Sequence, residues 1–203
     1  MFTGIVQGLG EVTYIEDHGG IRRLQVRLSS GHDQGLETGA SVAINGVCLT
    51  VVGWNQQDVQ FDVIYETLRL TNLGALEIGN FVNVERAACF GDEIGGHVLS
   101  GHIHGQATVT EVLETDANLA VWWHVPEGLR KYVWPKGYVS LNGCSLTVGD
   151  TESDGQFSIH LIPETRELTT FGRVAVGDSL NLEIDSQTQA IVDTVERVLD
   201  QRL

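Results

Sequence analysis

A heptapeptide in the first hundred residues returns almost a hundred residues later. Asn45-Gly46-Val47-Cys48-Leu49-Thr50-Val51 reappears as Asn142-Gly143-Cys144-Ser145-Leu146-Thr147-Val148, an offset of 97 with five of seven positions identical. Glu66-Thr67, Thr71, Gly74, Gly79, Asn83 and Glu85 come back as Glu164-Thr165, Thr169, Gly172, Gly177, Asn181 and Glu183, all at an offset of 98. At the front, Gly4 and Gly8 match Gly101 and Gly105 at 97. A register held this far, with only two copies and so long a period, is a duplicated domain and not a solenoid. The units run over residues 1–97 and 98–186, followed by a tail over 187–203.

Each unit reads as strands. Ser41-Val42-Ala43-Ile44, Leu49-Thr50-Val51-Val52, Val59-Gln60-Phe61-Asp62-Val63 and Phe81-Val82-Asn83-Val84 are short and rich in β-branched residues, several with period-two alternation. Turn residues punctuate them at Gly39, Gly79-Asn80 and Gly177-Asp178, and the Asn45-Gly46 and Asn142-Gly143 pairs are hairpin signals because both residues tolerate positive φ. About 90 residues with about six short strands suit a small closed barrel, which leaves no exposed edge. The fold class is therefore all-β, two tandem six-stranded barrels followed by one α-helix. The tail supplies the helix. Ser186-Gln187-Thr188-Gln189 has the capping-box pattern with Ser186 as N-cap. Ile191, Val195, Val198 and Arg202 then follow at helical spacing, with Val192, Leu199 and Leu203 beside them. Eighteen such residues span about 27 Å. The apolar stripe needs a partner, which is either its own barrel or a second chain.

Composition excludes several functions. Twelve Lys and Arg against 27 Asp and Glu give a net charge of −15, which argues against nucleic acid. No apolar run reaches about 18 residues, so no membrane helix is expected. Met1-Phe2-Thr3-Gly4 does not open a secretory signal. Three cysteines, Cys48, Cys89 and Cys144, form neither a zinc spacing nor an even disulfide set, and a cytoplasmic location follows.

Three polar clusters occur in both halves: Gly4-Ile5-Val6 with Gly101-His102-Ile103, Cys48-Leu49-Thr50 with Ser145-Leu146-Thr147, and Tyr65-Glu66-Thr67 with Pro163-Glu164-Thr165. Backbone amides near glycine and Ser/Thr hydroxyls suit a planar heterocycle carrying carbonyls and ring nitrogens. Structure alone also accounts for them, since Thr50 and Thr147 are good strand residues and Cys48 can be a small buried hydrophobe. The halves differ where chemistry would differ: Ile5 becomes His102, Cys48 becomes Ser145, and Asp62-Val63 becomes Ser158-Ile159-His160. The joint Gly95-Gly96-His97-Val98-Leu99-Ser100-Gly101-His102-Ile103-His104-Gly105 carries three histidines. Their alternating places without a carboxylate pair speak against a metal site. Proton transfer near neutral pH suits His102, while His97 and His104 read as surface or structural.

Met1-Phe2-Thr3-Gly4-Ile5-Val6, the Asn45–Val51 motif, the joint from Gly95 to Ile103, and His160-Leu161-Ile162-Pro163-Glu164-Thr165 together resemble the riboflavin synthases, and the resemblance spans nearly the whole chain. It implies that one molecule of 6,7-dimethyl-8-ribityllumazine donates a four-carbon unit to a second, giving riboflavin and 5-amino-6-(D-ribitylamino)uracil, with no metal or redox cofactor. It implies Greek-key barrels that each bind one lumazine. It implies a homotrimer joined largely by the C-terminal helices, with the reactive site between the first barrel of one subunit and the second barrel of its neighbour. Lumazine synthase is the macromolecular partner it suggests.

Carried over by motif position, the lumazine contacts fall on Gly4, Ile5, Val6, Cys48, Leu49, Thr50, Asp62, Val63, Ile64, Tyr65, Glu66 and Thr67. They continue on Gly101, His102, Ile103, Lys136, Ser145, Leu146, Thr147, His160, Leu161, Ile162, Pro163, Glu164 and Thr165. The catalytic positions fall on Ser41, Cys48, His102, Thr147 and Asp185. The chemistry needs a proton taken from an acidic methyl group of one lumazine and an addition to the ring of the other. His102 and Thr147 are expected to handle protons at one pocket, with Ser41 or Cys48 serving the adding group at the other. Val47 and Cys144 depart from the usual residues without touching a motif position. Two other functions compete with this one. A non-catalytic lumazine antenna protein would have lost the polar residues of its second half, yet Ser145, Thr147, Glu164 and His102 are present. A flavin oxidoreductase would add a nucleotide-binding domain, for which no glycine-rich strand–turn–helix fingerprint exists.

Overall fold

The computed structural model describes residues 1–115 and 118–201. In the first half, β1 (Gly8–His18), β2 (Ile21–Arg27), β3 (Ser41–Ile44), β4 (Val47–Asn55), β5 (Asp58–Ile64) and β6 (Phe81–Arg86) pair in the order β1-β2-β5-β4-β3-β6. Pairing of β6 with β1 closes the barrel. Strands β3, β4 and β5 form a meander, β2 returns beside β5, and β6 returns beside β3, which makes two overlapping Greek keys. Alternation drives the closure. Along β5, Val59, Phe61 and Val63 point inward and are at most 1% exposed, while Asp62 and Ile64 point out.

The second half repeats the plan with β7 (Gly105–Thr115), β8 (Asn118–His124), β9 (Tyr138–Leu141), β10 (Cys144–Thr147), β11 (Gln156–Leu161) and β12 (Ser179–Ile184). Its core is built on Trp123, Phe157 and Phe171. Here β10 stops early, and the seam between β10 and β11 is not a regular ladder. The chain beyond it still bonds across: Gly149 N donates to Ser158 O at 2.8 Å and Ser158 N to Asp150 O at 2.9 Å. Gly149 stands where the first half has Val52, and a Cβ there would lie 2.5 Å from Ser158 Oγ.

The two Asn-Gly turns are the joint between the barrels. Asn45 and Gly46 take φ of 47° and 78°, and Asn142 and Gly143 take 46° and 80°, the positive pair of a type I′ turn. A Cβ on Gly46 would sit 2.5 Å from Gly143 N, and one on Gly143 would sit 2.8 Å from Gly46 Cα, so the turns stack backbone to backbone. Buried asparagines complete the joint reciprocally. Asn83 Nδ2 donates to Asn142 O and Asn181 Nδ2 to Asn45 O, both at 2.9 Å. This reciprocity places an approximate two-fold axis between the halves. Buried amides are retained here because each finds its partner.

Among the described residues three α-helices complete the fold: α1 (Tyr65–Leu70), α2 (Pro163–Leu168) and α3 (Ser186–Asp200). The first two are absent from the strand reading of each half. The N-cap of α3 is Asp185 and not Ser186. The Asp185 carboxylate accepts from Gln187 N at 3.4 Å and from Thr188 N at 2.9 Å, and an ionised carboxylate outcompetes a neighbouring hydroxyl at that place. Gln189, expected to close a capping box, instead faces His104 Nε2 at 3.1 Å. Arg202 and Leu203, assigned to the helix by spacing, lie outside the described residues.

Helix α3 rests on its own barrel mainly by its polar side. Tyr132 Oη donates to Asp193 at 2.5 Å, Lys131 pairs with Glu196, and Val192 is its half-buried apolar contact. Ile191, Val195 and Leu199 are 65%, 53% and 56% exposed. Within one chain the apolar stripe faces outward. Among the described residues no helix is long and apolar enough to cross a membrane.

Candidate functional site: two crossed glycine turns

The segments that begin each half sit across the boundary. Ser145 N donates to Gly4 O at 2.8 Å, so the turn that opens the first half lies on the second barrel. Cys48 N donates to Gly101 O at 3.0 Å, so the turn that opens the second half lies on the first. Phe2 and Leu99 bridge between the two segments. Contact at this distance admits only glycine. A Cβ on Gly4 would lie 2.6 Å from Ser145 Cβ, and one on Gly101 would lie 2.5 Å from Cys48 Cβ. Both glycines also have positive φ, at 75° and 79°.

Two patches result. Register sets the first: Ser41 opposes Thr50 and Ala43 opposes Cys48, so these four share the outer face of the β3–β4 hairpin while Val42 and Leu49 fill the core. The Gly101-His102-Ile103 turn covers that face. The second patch is its counterpart. Tyr138 opposes Thr147 and Ser140 opposes Ser145, beneath Gly4-Ile5-Val6. Within one chain His102 therefore belongs with Ser41 and Cys48, and Thr147 belongs with Ser145 and Gly4. The expectation that His102 and Thr147 share a pocket does not hold inside a single chain, because the opening turns have crossed over.

The patches differ in polarity. Cys48 and Ala87 pack on the apolar group of Phe2, Ala43 and Leu99. The matching places in the second half hold Ser145, Asp185 and Ser140, and His97 joins them. His97 is 8% exposed, its Nδ1 lies 2.6 Å from Ser145 Oγ, and its ring stacks on Tyr138 at 5.2 Å. His97 Nε2 and Ser140 Oγ are buried without a protein partner. His104 is structural: its Nδ1 accepts from Ile184 N at 3.2 Å. Thus neither His97 nor His104 is a surface residue.

Burial holds the His97 imidazole below its ordinary range, with Asp185 pulling the other way. The unfolded chain then takes up the proton more readily, so this group stabilises the fold at neutral pH and that stability is lost as pH falls through the usual histidine range. Wild type should weaken from pH 7 to about pH 5 more than a His97→Phe chain, which keeps the stack on Tyr138. Urea midpoints of both chains at the two pH values check this, and identical losses would refute it. Asp185 is drawn the opposite way to its burial: desolvation raises its carboxyl, but hydrogen bonds from Thr188 and Gln187 outweigh this and hold it low.

The short helices stand at the rims. Ile64, Tyr65 and Ile162 are exposed, as are Glu66, Pro163, Glu164 and His160, while Val63 and Leu161 belong to the cores. Asp62 is held by Arg23 at 2.9 Å, and that hydrogen bond keeps its carboxyl below the usual range. Glu66 is paired with Arg69. Thr67 and Thr165 accept at their carbonyls from Thr71 and Thr169 hydroxyls, which ties each rim to the next turn. Lys136 has φ of 68° where the repeat has Gly39 at 91°, and its amide makes the matching bond to Val148 O at 2.9 Å. A lysine kept in a glycine conformation is strained, and such strain clusters at functional positions. A separate cavity of about 430 Å³ lies between the barrels, lined by Asn45, Asn142, Phe81 and Arg173, and it touches none of these residues.

Comparison with known proteins agrees with this duplicated architecture. The lumazine binding domain family matches twice, over residues 3–87 and 100–185. The riboflavin synthase of Escherichia coli (strain K12) is 52% identical over 203 residues, covering 100% of this chain and 95% of that protein. The chain belongs to the riboflavin synthase family. A second member, from Chlamydia pneumoniae, is 42% identical over 199 residues, 98% of this chain and 97% of its own. The family is one of enzymes, transferases by class. Among solved structures, LumP complexed with riboflavin superposes with a TM-score of 0.85 at 30% identity, covering 92% of this chain and 100% of that one. Riboflavin synthases match at higher identity than LumP, and the antenna reading is correspondingly less supported.

Proposed function

We propose that the chain converts two molecules of 6,7-dimethyl-8-ribityllumazine into riboflavin and 5-amino-6-(D-ribitylamino)uracil, with one lumazine on each patch. The observation that carries this is the pair of two-fold-related patches with unlike polar equipment. Two identical reactants in unlike roles require that combination. The unit over 1–97 supplies Ser41, Cys48 and Thr50, and that over 98–186 supplies Ser145, Thr147, Asp185 and the His102 turn. Ile64 to Thr67 and His160 to Thr165 serve as rims, and Lys136 reaches toward the second ligand. Fixing both rings contributes on the order of 7–11 kcal/mol at best as effective molarity.

The exposed stripe of α3, within the tail over 187–203, is the contact through which the chains form a homotrimer. Assembly sets the Cys48 patch of one chain against the Ser145 patch of the next. His102 of one subunit then meets the Thr147 patch of its neighbour, which reconciles the single-chain geometry with a shared proton-handling role. Cytoplasmic location follows the same reading.

Purified protein incubated with the lumazine, without added metal or nicotinamide, is expected to form riboflavin at half the lumazine consumed. Cys48→Ser and His102→Gln should each lower turnover at least tenfold with modest change in lumazine affinity. Stable lumazine fluorescence with one ligand per chain and no flavin would favour the antenna role instead. Wild-type turnover in both variants would remove Cys48 and His102 from the chemistry.

A further inference from the structure

Each glycine turn is held by one buried carboxylate, Glu85 on β6 and Glu183 on β12, and both are 3% exposed. Glu85 accepts from Thr3 N at 2.6 Å, Thr3 Oγ1 at 2.8 Å and Gly4 N at 3.1 Å. Glu183 accepts from Ser100 N at 2.7 Å, Ser100 Oγ at 2.7 Å and Gly101 N at 3.1 Å. The hydroxyl that donates to the carboxylate then accepts the next amide. Ile5 N donates to Thr3 Oγ1 at 3.3 Å, and His102 N donates to Ser100 Oγ at 3.1 Å. Carboxylate, hydroxyl and amide thus form one chain of bonds that fixes the residue after the glycine. Bonds that converge on a buried carboxylate are directional, and they cannot slip without leaving buried polar atoms unpaired.

The clamp is the same in both halves, but its output differs. In one it presents Ile5, a side chain with no proton to move. In the other it presents His102, on the turn whose Gly101 carbonyl is bonded to Cys48 N. We infer that Glu183, acting through Ser100, is the positioning residue for His102, and that Glu85, acting through Thr3, positions Ile5 for ligand contact alone. The inference rests on the reading of His102 as a proton-handling group. Gln at either carboxylate, or loss of either hydroxyl, breaks matched bonds. A merely structural clamp would therefore give matched losses in the two halves. A positioning clamp gives unlike ones.

The test measures kcat and KM for riboflavin formation in Ser100→Ala, Glu183→Gln, Thr3→Ala and Glu85→Gln chains, with thermal midpoints for each. Misplacement by about 1 Å costs up to about a hundredfold, so Ser100→Ala and Glu183→Gln are expected to lower kcat ten- to a hundredfold while KM stays within about threefold. Thr3→Ala and Glu85→Gln should raise KM and leave kcat within about threefold. Ser100→Thr supplies the hydroxyl that the first half uses and should restore kcat to within about threefold of wild type. Where Glu183→Gln fails to fold, Ser100→Ala carries the test, since its side chain is small and at the surface. Equal kcat losses in both pairs, or wild-type kcat in Ser100→Ala, overturn the inference. A wild-type chain that forms no riboflavin overturns the reading beneath it, and the two failures are distinct.

Discussion

A Gly46→Ala chain is expected to lose about 2–5 kcal/mol of stability, a large share of what a domain of this kind has. Two costs combine. The φ of 78° is unfavourable for any L side chain by about 1–2 kcal/mol. The new methyl group would also stand 2.5 Å from Gly143 N, and the atoms it meets are backbone, which cannot rotate away. Overpacking of that kind adds about 1–3 kcal/mol. Gly79 separates the two costs. It has φ of 89°, and a methyl group added there would meet nothing within 4 Å, so Gly79→Ala carries the conformational cost alone. Urea unfolding of wild type, Gly46→Ala, Gly143→Ala and Gly79→Ala reads this directly. The two joint variants should match each other and exceed Gly79→Ala. Equal losses in all three would mean that the stacked turns contribute nothing beyond φ.

The same glycines mark the limit of what the sequence makes legible. The Asn-Gly pairs are readable as type I′ hairpins from local chemistry alone, and the structure has them so. Nothing local says that the two hairpins stack on one another, or that Asn83 and Asn181 reach across to them. The one hint is the repetition of Asn83 and Glu85 as Asn181 and Glu183 within otherwise apolar strands. Buried polar residues kept in both copies signal an interface or a clamp, because an unpaired amide or carboxylate there is too costly to keep. The barrels are legible because period-two alternation and turn spacing report closure. The short helices α1 and α2 are not, since six residues without a buried side chain leave no periodic apolar signal. The crossing of the Gly4 and Gly101 turns is also hidden. Sequence order places His102 in the second half, whereas its turn packs on the first, and only tertiary contact decides between them. The cap of α3 lies one residue before the Ser186 of the capping-box pattern because Asp185 follows directly on β12 and its carboxylate reaches both Gln187 N and Thr188 N.

Val195→Asp is expected to abolish self-association and, with it, at least a hundredfold of turnover. The helix is fastened to its barrel by Lys131, Tyr132 and Val192, leaving Ile191, Val195 and Leu199 outward. A carboxylate at the centre of that stripe is solvated in the free chain and costs little there. In an assembled interface it would be buried without a partner, at a cost of about 3–5 kcal/mol. The fold should therefore survive while assembly does not. In the proposed assembly each patch pairs with the unlike patch of a neighbour, so a lone chain would keep two lumazine sites without bringing two rings together. Sedimentation should give a trimer for wild type and a monomer for the variant, with lumazine still bound and riboflavin formation lost at equal chain concentration. Titration to high concentration should recover part of the activity, since mass action opposes the substitution. A monomeric Val195→Asp chain with wild-type turnover would place both rings within one chain, and a monomeric wild type would leave the outward stripe without its proposed partner.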